Sequence, residues 1–342
     1  MENLASRESG LLTARADRLG SVHSIDRVVM TVPDLAEAKR FFEAFGLRCD
    51  QQTTDAPLNI GTREHPHVWL TLLAGAKKQL LYVRYGAYET DYTAIQEKAA
   101  SLHLSGNAPH ECASAITGTG GLWLTDPDGV QVQIVVADKS SPDAKTRATE
   151  GKRIPAGKGA APSRSTAPKV YPRYLSHVLF FTADVQKALD FYVGVLGLRL
   201  SDRSETDIAF LHGAYGSDHH LAAFVKADGP GVHHLSWDVG SVHEVGLGAE
   251  QMRRNGYTRG WGVGRHVLGS NYFYYVRDPW GSYAEYSFDI DYIPADLDWP
   301  AANHPGEDSF YVWGPEPPHD FATNYEVARE AGAATIDAGK ID

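Results

Sequence analysis

Two stretches of the chain share one order of apolar and polar positions. Apolar runs at residues 27–32 and 177–182 predict strands. An aspartate follows each run, Asp34 or Asp184, and can cap a helix by accepting from its free amides. Apolar residues then recur three and four positions apart, which predicts one buried helix face. These residues are Ala38, Phe41, Phe42 and Phe45, and later Ala188, Phe191, Tyr192 and Val195.

Further matches show that the whole unit is repeated. Gly46-Leu47-Arg48 corresponds to Gly197-Leu198-Arg199, and the turn at residues 126–129 corresponds to the turn at residues 278–281. The offset between the copies grows from 150 at the aspartates to 152 at the turns. Matches in the same order with a slowly drifting offset indicate a duplicated unit of roughly 115 residues. We predict a βαβββ-like plan for each unit, with signs of a second helix–strand cycle.

The segments outside the two units differ from them in composition. Residues 138–173 are rich in Lys, Arg, Ser, Pro, Gly and Ala, and such a segment cannot build a packed core. We therefore predict a linker there, between an N-terminal domain at residues 22–137 and a C-terminal domain at residues 174–295. Residues 1–21 are predicted to be a mobile arm, and residues 296–342 an aromatic-containing tail.

Composition and charge exclude several classes of protein. A chain of 342 residues has room for two domains at about 150 residues each. Its net charge of −11 argues against a nucleic-acid partner. The first twenty residues lack the apolar run of a signal peptide or membrane anchor, so a cytoplasmic protein without membrane contact is expected. The cysteines, Cys49 and Cys112, are too few for a four-thiolate zinc site or a disulfide scaffold.

Three strands of the second unit each offer an ionisable side chain on one face. Strand alternation groups His234 with Ser236, and leaves the adjacent His233 on an apolar face suited to packing under a helix. His177 and Glu285 occupy comparable positions on the two neighbouring predicted strands. Two imidazoles and one carboxylate can hold one face of an octahedral metal, as in non-haem Fe(II) oxygenases.

The repeat provides an internal control for this site. The first unit has Arg27 where the second has His177, and Gln133 where the second has Glu285. Arginine cannot ligate a metal, and glutamine is a poor substitute for a carboxylate. His65 and His67 are near the remaining position in sequence, but they have no carboxylate to complete a site. We therefore predict one metal per chain, in the second unit.

Several motifs of the second unit extend beyond the three ligands. They are Leu175-Ser176-His177, His220 to Phe224, Gly229 to Leu235, Gly264-Arg265-His266 and Asn271 to Tyr286. Together they resemble the catalytic half of the type I extradiol catechol dioxygenases, of the vicinal oxygen chelate superfamily. The resemblance covers about residues 170–295, with residues 22–137 as a degenerate module without metal. It implies an α+β fold in which tandem βαβββ modules pair into two barrel-like domains.

The resemblance also assigns roles to residues. It implies that His177, His234 and Glu285 bind Fe(II), with Mn(II) as the other possible metal. It implies that His220 is the acid–base histidine, with His219 as a weaker candidate because the spacing to His234 varies by about one residue. His266 and Tyr275 match the pocket histidine and tyrosine of the family. The implied reaction inserts both atoms of O2 into a catechol in aromatic hydrocarbon catabolism, and relatives lead us to expect a homo-oligomer.

Two alternatives remain open from the sequence. A keto-acid dioxygenase of the hydroxyphenylpyruvate type would also keep two histidines and one glutamate in its second half. A non-catalytic protein that binds small molecules is the other alternative, although an intact metal triad argues against it. A glyoxalase-type isomerase is disfavoured because it would draw ligands from both units, and Arg27 and Gln133 cannot supply them.

Overall fold

The first unit folds as a seven-stranded sheet with two helices. The computed structural model describes residues 19–110, 120–149, 151 and 154–328. The strands are β1 (Ser24–Val32), β2 (Arg48–Asp50), β3 (Leu58–Gly61), β4 (Leu70–Ala74), β5 (Gln79–Ala87), β6 (Leu122–Thr125) and β7 (Gln131–Val136). Helix α1 (Leu35–Phe45) follows β1, and helix α2 (Glu89–Ser101) follows β5. The sheet order is β2-β3-β4-β1-β5-β7-β6, so the predicted second helix–strand cycle is present.

The second unit repeats this plan and adds strands at both edges. Its strands are β8 (Leu175–Thr182), β9 (Arg199–Ser204), β10 (Ile208–His212), β11 (Ser217–Asp218), β12 (Ala222–Lys226), β13 (Gly231–Asp238), β14 (Gly260–His266), β15 (Tyr272–Arg277), β16 (Tyr283–Phe288) and β17 (Tyr292–Ile293). Its helices are α3 (Val185–Gly194) and α4 (Val242–Arg254). The tail contributes β18 (Ala302–His304), β19 (Tyr311–Trp313) and α5 (Tyr325–Ala328).

The second sheet has ten strands, in the order β18-β9-β10-β12-β8-β13-β16-β15-β14-β19. Strands β11 and β17 pair separately. The α+β class with duplicated modules is confirmed. Both large sheets are open, each beginning and ending at an edge strand, so the barrel-like domains are curved sheets rather than closed barrels.

The two aspartates predicted to cap helices do so in the structure. The Asp34 carboxylate accepts from the amides of Ala36 and Glu37 at 2.8 and 2.9 Å. Asp184 does the same at the start of α3. Gly46 ends α1 with a φ of 102°, a left-handed conformation that favours glycine. Helix α3 ends at Gly194, three residues before Gly197, the counterpart of Gly46 in the repeat.

The two units pack against each other through aromatic residues. The ring of Phe45 at the end of α1 stacks on the ring of Tyr286 in β16, with centroids 3.8 Å apart. The Tyr286 hydroxyl donates to the carbonyl of Phe45 at 2.8 Å. Trp69 and Trp237 meet edge to face, and both are buried. The first unit therefore provides a rigid support for β13 and β16.

The segment before β8 lies along the second unit. The Arg173 guanidinium donates to the Asp238 carboxylate at 2.5 Å, and the amide of Thr149 donates to Gly240. Within the described part of residues 138–173, the regular structure is one 3-10 turn at Arg164–Thr166. The predicted domain boundaries stay predictions. Most of the predicted arm, residues 1–18, lies outside the described residues.

Two further sequence expectations concern cysteine and membrane contact. Cys49 is a free, half-buried thiol, whereas Cys112 lies outside the described residues. Among the helices that the structure describes, none combines the length and the apolar character that crossing a bilayer requires.

A buried ion cluster ties the tail to both sheets. The Lys78 ammonium lies 3.6 Å from the Asp278 carboxylate and 3.7 Å from the Glu326 carboxylate, and its side chain is only 5% exposed. Glu326 also accepts from the amides of Leu80 in β5 and Val232 in β13, at 2.8 and 2.9 Å. The tail is therefore held at the junction between the two units.

We predict that Lys78→Met lowers the free energy of unfolding by about 3 kcal/mol, because it leaves two largely buried carboxylates, 11% and 8% exposed, without their cation. The matched control is Lys39→Met. Lys39 lies 4.0 Å from Glu43 in an exposed pair, and its loss should change stability by less than about 1 kcal/mol. Urea denaturation measures both variants. Equal losses would show that the buried cluster contributes no more than a surface pair.

Candidate metal centre

Three side chains from adjacent strands converge at one point of the second sheet. His177 is on β8, His234 on β13 and Glu285 on β16, and one ligand atom of each lies within 4.8 Å of the others. The Glu285 Oε2 atom is 3.3 Å from His177 Nε2 and 3.5 Å from His234 Nε2. All three side chains are buried, and Glu285 is wholly so. Among the described residues this is the one cluster with metal-ligand spacing.

The polar atoms of this cluster lack the partners that burial demands. His234 Nε2 and Glu285 Oε2 are buried and accept or donate no hydrogen bond. Buried polar groups are normally paired, so an orphaned nitrogen and an orphaned carboxylate oxygen facing each other indicate a missing cation. Two imidazole nitrogens and one carboxylate fit a divalent transition metal.

The charges of the ligands agree with this fit. Burial alone would raise the pKa of Glu285, but His177 and the other nearby imidazoles hold this pKa below its ordinary value. Burial, together with the neighbouring His233 and His177, holds the pKa of His234 well below its ordinary value. The carboxylate is therefore ionised and the His234 imidazole neutral, which are the forms that bind metals.

Hydrogen bonds at Nδ1 fix the orientation of both imidazoles. The Ser176 hydroxyl donates to the Asp218 carboxylate at 2.6 Å, so its oxygen accepts from His177 Nδ1 at 3.1 Å. His233 Nε2 donates to the Phe321 carbonyl at 2.8 Å, so its Nδ1 accepts from His234 Nδ1 at 2.7 Å. With Nδ1 protonated, Nε2 carries the free lone pair and points at the cluster. Such partners behind a ligand raise its basicity and fix its tautomer.

The position of His233 differs from the sequence expectation. Its ring packs against Phe181, Tyr283 and Phe321 rather than under a helix. The pairing of β13 with β8 shifts register between Val232 and His234. This irregularity breaks the strict alternation, so adjacent imidazoles can meet through their Nδ1 atoms.

His220 and His219, the two candidate acid–base histidines, occupy different places. His220 lines a cavity of about 260 Å³ beside the cluster, and its ring centroid is 4.0 Å from that of His177. Burial and the surrounding imidazoles hold the pKa of His220 well below its ordinary value. His219 does not line the cavity, and its Nε2 lies 2.9 Å from Asp202. The geometry thus favours His220 over His219 for contact with a bound molecule.

His266 and Tyr275 also line the cavity and are hydrogen-bonded to each other. His266 Nδ1 donates to the Phe310 carbonyl at 2.9 Å, so its Nε2 accepts from the Tyr275 hydroxyl at 2.9 Å. Burial is the main cause that raises the pKa of Tyr275 well above its ordinary value, and the negative charge of Glu285 adds to it. The phenol therefore stays protonated. The ring of Tyr275 also meets that of His234 edge to face.

Sequence reasoning missed residues that act behind or beside the ligands. The Asn271 amide donates to Glu285 Oε1 at 3.1 Å and to Ser287 at 2.9 Å, and fixes the carboxylate. Its sequence signal is its place just before β15, as the first residue of the Asn271 to Tyr286 motif. Phe310 and Phe321 come from the tail and line the cavity, and no repeat pattern predicts their return to it.

In the first unit, the place that corresponds to the metal cluster holds the guanidinium of Arg84 and the side-chain amide of Gln133. Gln133 pairs in register with Arg84, as Glu285 pairs with Ser236. The Arg84 guanidinium donates to Gln133 at 2.7 Å. By the same register, Tyr82 rather than His65 or His67 stands where the second unit has His234. His67 instead contacts the Asp26 carbonyl, which places it outside this position.

Comparisons with known proteins agree with this architecture. The model of the Glyoxalase/Bleomycin resistance protein/Dioxygenase superfamily matches residues 174–286. The chain is 50% identical to Metapyrocatechase 2 of Cupriavidus necator over 308 residues, 90% of this chain and 93% of that protein. It is 33% identical to 2,2',3-trihydroxybiphenyl dioxygenase of Sphingomonas paucimobilis over 149 residues, 42% of this chain and 49% of that protein.

A solved structure shows the same fold. The crystal structure of a halotolerant catechol dioxygenase superimposes with a TM-score of 0.67 at 21% identity, and the match covers 87% of this chain and 95% of that one.

We predict that the purified chain binds one divalent metal, and that His177→Ala loses most of it because one of three ligands is gone. His212→Ala is the matched control. His212 is also buried, but its Nδ1 pairs with Ser201 outside the cluster. Elemental analysis after loading and gel filtration measures both. A His177→Ala protein that retains a full metal complement would exclude this ligand set.

Proposed function

Because this chain belongs to the extradiol catechol dioxygenases of the Glyoxalase/Bleomycin resistance protein/Dioxygenase superfamily, we propose that it cleaves the ring of an uncharged catechol with O2 at one Fe(II) ion. The observation that carries this proposal is the buried cluster of His177, His234 and Glu285 beside the cavity. The full-length relative is a metapyrocatechase, which favours ring cleavage over a keto-acid dioxygenase or a non-catalytic binding protein.

His177, His234 and Glu285 would hold the metal on one face, which leaves the cavity side open for substrate and O2. A metal bound there would supply a path for electron density between a catecholate and O2, which would remove the spin barrier to their reaction. Fe(II) is the metal that we propose, and Mn(II) is the alternative that the experiment below separates. The remaining steps are assigned to side chains of the chain itself.

His220 is suited to move a proton at the catechol. It is neutral, it lines the cavity, and its Nδ1 is engaged with His219 at 3.1 Å. Its Nε2 is therefore the nitrogen that can accept a proton from a phenolic hydroxyl. A histidine that accepts and later returns a proton serves as both general base and general acid.

Tyr275 and His266 are suited to orient the substrate oxygen. Because the Tyr275 hydroxyl donates to His266, its oxygen has lone pairs to accept from a catechol hydroxyl. His266 has both ring nitrogens occupied, by Phe310 and Tyr275. We therefore assign His266 a role through Tyr275 rather than direct contact with substrate.

The cavity wall selects the substrate ring by charge. Ile208, Phe210, Leu268 and Phe321 supply apolar surface, and no Lys or Arg lines the cavity among the described residues. Within the part of the chain that the structure describes, Asp207 is the one carboxylate that lines the cavity besides the ligand cluster, and it is exposed. A carboxylate on the substrate ring would lose its hydration in the cavity and would find no cation there to pair with, which is energetically costly. The proposal is therefore limited to catechols with apolar or no substituents. The predicted homo-oligomer and cytoplasmic location stay predictions.

We predict that protein loaded anaerobically with Fe(II) converts catechol to a yellow ring-fission product with equimolar uptake of O2. Glu285→Gln should reduce the rate by at least about 100-fold because the ligand loses its charge. Absorbance and an oxygen electrode measure the reaction, and parallel loading with Mn(II) identifies the metal. Absence of both product and O2 uptake across a panel of uncharged catechols with either metal would exclude the proposed function.

We predict that 4-methylcatechol has a kcat/KM at least about 100-fold above that of 3,4-dihydroxybenzoate, because the latter brings an unpaired carboxylate into the cavity. The methyl ester of 3,4-dihydroxybenzoate is the matched control, since it is larger but uncharged. Recovery of most of the activity with the ester shows discrimination by charge. An ester as poor as the acid would show that size limits the substrate instead.

A further inference from the structure

The buried carboxylate of Asp202 is linked to His220 by two successive hydrogen bonds that pass through His219. Asp202 Oδ2 is 2.9 Å from His219 Nε2, and His219 Nδ1 is 3.1 Å from His220 Nδ1. Asp202, His219 and His220 are each at most 5% exposed. This chain of contacts leads away from the cavity, and neither Asp202 nor His219 lines it.

Asp202 is placed so that it only accepts hydrogen bonds. Besides His219, it accepts from His304 Nε2 at 2.9 Å, from the Ala302 amide at 3.0 Å and from the Trp299 indole at 3.4 Å. Burial opposes ionisation, but the bonds from His219 and His304 outweigh it and hold the pKa of Asp202 below its ordinary value. An ionised carboxylate has no proton to give.

The direction of each hydrogen bond follows from this carboxylate. His219 Nε2 must carry a proton and donate to Asp202. In a neutral ring, His219 Nδ1 is then an acceptor, so the proton between the two Nδ1 atoms belongs to His220. A neutral His220 with a proton on Nδ1 has its lone pair on Nε2, the nitrogen left for the cavity.

We propose that Asp202 and His219 are positioning residues that hold His220 in the tautomer whose Nε2 can accept a proton from the substrate. This inference rests on the proposed ring-cleavage function. It assigns His219 a role behind His220 rather than as its substitute. It also predicts that any side chain that donates to Asp202 and accepts from His220 can replace His219.

Three variants test the proposal. Asp202→Asn places an amide against His219 that can donate to it, which favours the opposite tautomer in both rings. His219→Gln keeps one donor for Asp202 and one acceptor for His220, because a carboxamide has both. His219→Leu has neither. His304→Gln is the control, since it keeps a donor to Asp202 and its parent side chain is 33% exposed.

We expect kcat to fall about 10- to 100-fold in Asp202→Asn and His219→Leu, with KM within about twofold of the parent value, since the substrate contacts are unchanged. His219→Gln and His304→Gln should keep kcat within about threefold. Each protein is loaded with Fe(II), and rates are expressed per bound iron. Parent kcat in Asp202→Asn and His219→Leu would overturn the proposal. A His219→Gln protein as slow as His219→Leu would also overturn the proposal, because glutamine keeps the donor and the acceptor. The imidazole of His219 would then be needed for its ability to carry a positive charge.

A second readout does not depend on turnover. Nitrogen-15 NMR of histidine-labelled protein before iron loading distinguishes protonated from unprotonated ring nitrogens, with His220→Gln to assign the signals. We expect His220 to be protonated at Nδ1 in the parent protein and to shift towards Nε2 protonation in Asp202→Asn. A His220 protonated at Nε2 in the parent protein would overturn the proposal. Because this readout needs no catechol, failure of the proposed function and failure of this inference are distinguishable.

Discussion

The site depends on one constraint, which is that the Nδ1 atom of each histidine lining the cavity is engaged in a hydrogen bond. His177, His220, His234 and His266 line the cavity, and each has an acceptor at Nδ1: Ser176, His219, His233 and the Phe310 carbonyl. Three of these acceptors are the residue just before the histidine in the chain. A neutral imidazole held in this way keeps its lone pair on Nε2. The Nε2 lone pair of His266 accepts from Tyr275, and the Nε2 atoms of His177 and His234 lie 3.3 and 3.5 Å from Glu285 Oε2, where a cation can bind all three atoms.

The rest of the fold maintains this arrangement. Strands β8, β13 and β16 are neighbours in the sheet and are buried along nearly their whole length, which fixes the separation of the three ligand-bearing residues. The tail contributes Phe321 to the lining of the cavity, and the carbonyl of Phe321 also accepts from His233. The bonds of Glu326 to both sheets hold that tail in place. The degenerate first unit therefore serves the site through packing and through this anchor.

The sequence predicts the repeat, the helix caps and the cluster of His177, His234 and Glu285, because each depends on local periodicity or strand alternation. It does not predict the position of His233, because a register shift in β13 breaks that alternation. Nor does it predict that Tyr82 takes the place of His234 in the first unit, since strand register sets that match. Asp202 and Phe321 reach the site by long-range contacts that no short motif encodes.

The central claim is that one metal sits at the Nε2 atoms of His177 and His234 and at the carboxylate of Glu285. Anomalous diffraction at the iron edge, on crystals loaded anaerobically with Fe(II), tests it most directly. We predict one strong peak per chain within bonding distance of these three groups, and none beside Arg27 and Gln133. A peak bonded through Nδ1, at another place, or in the first unit would contradict it.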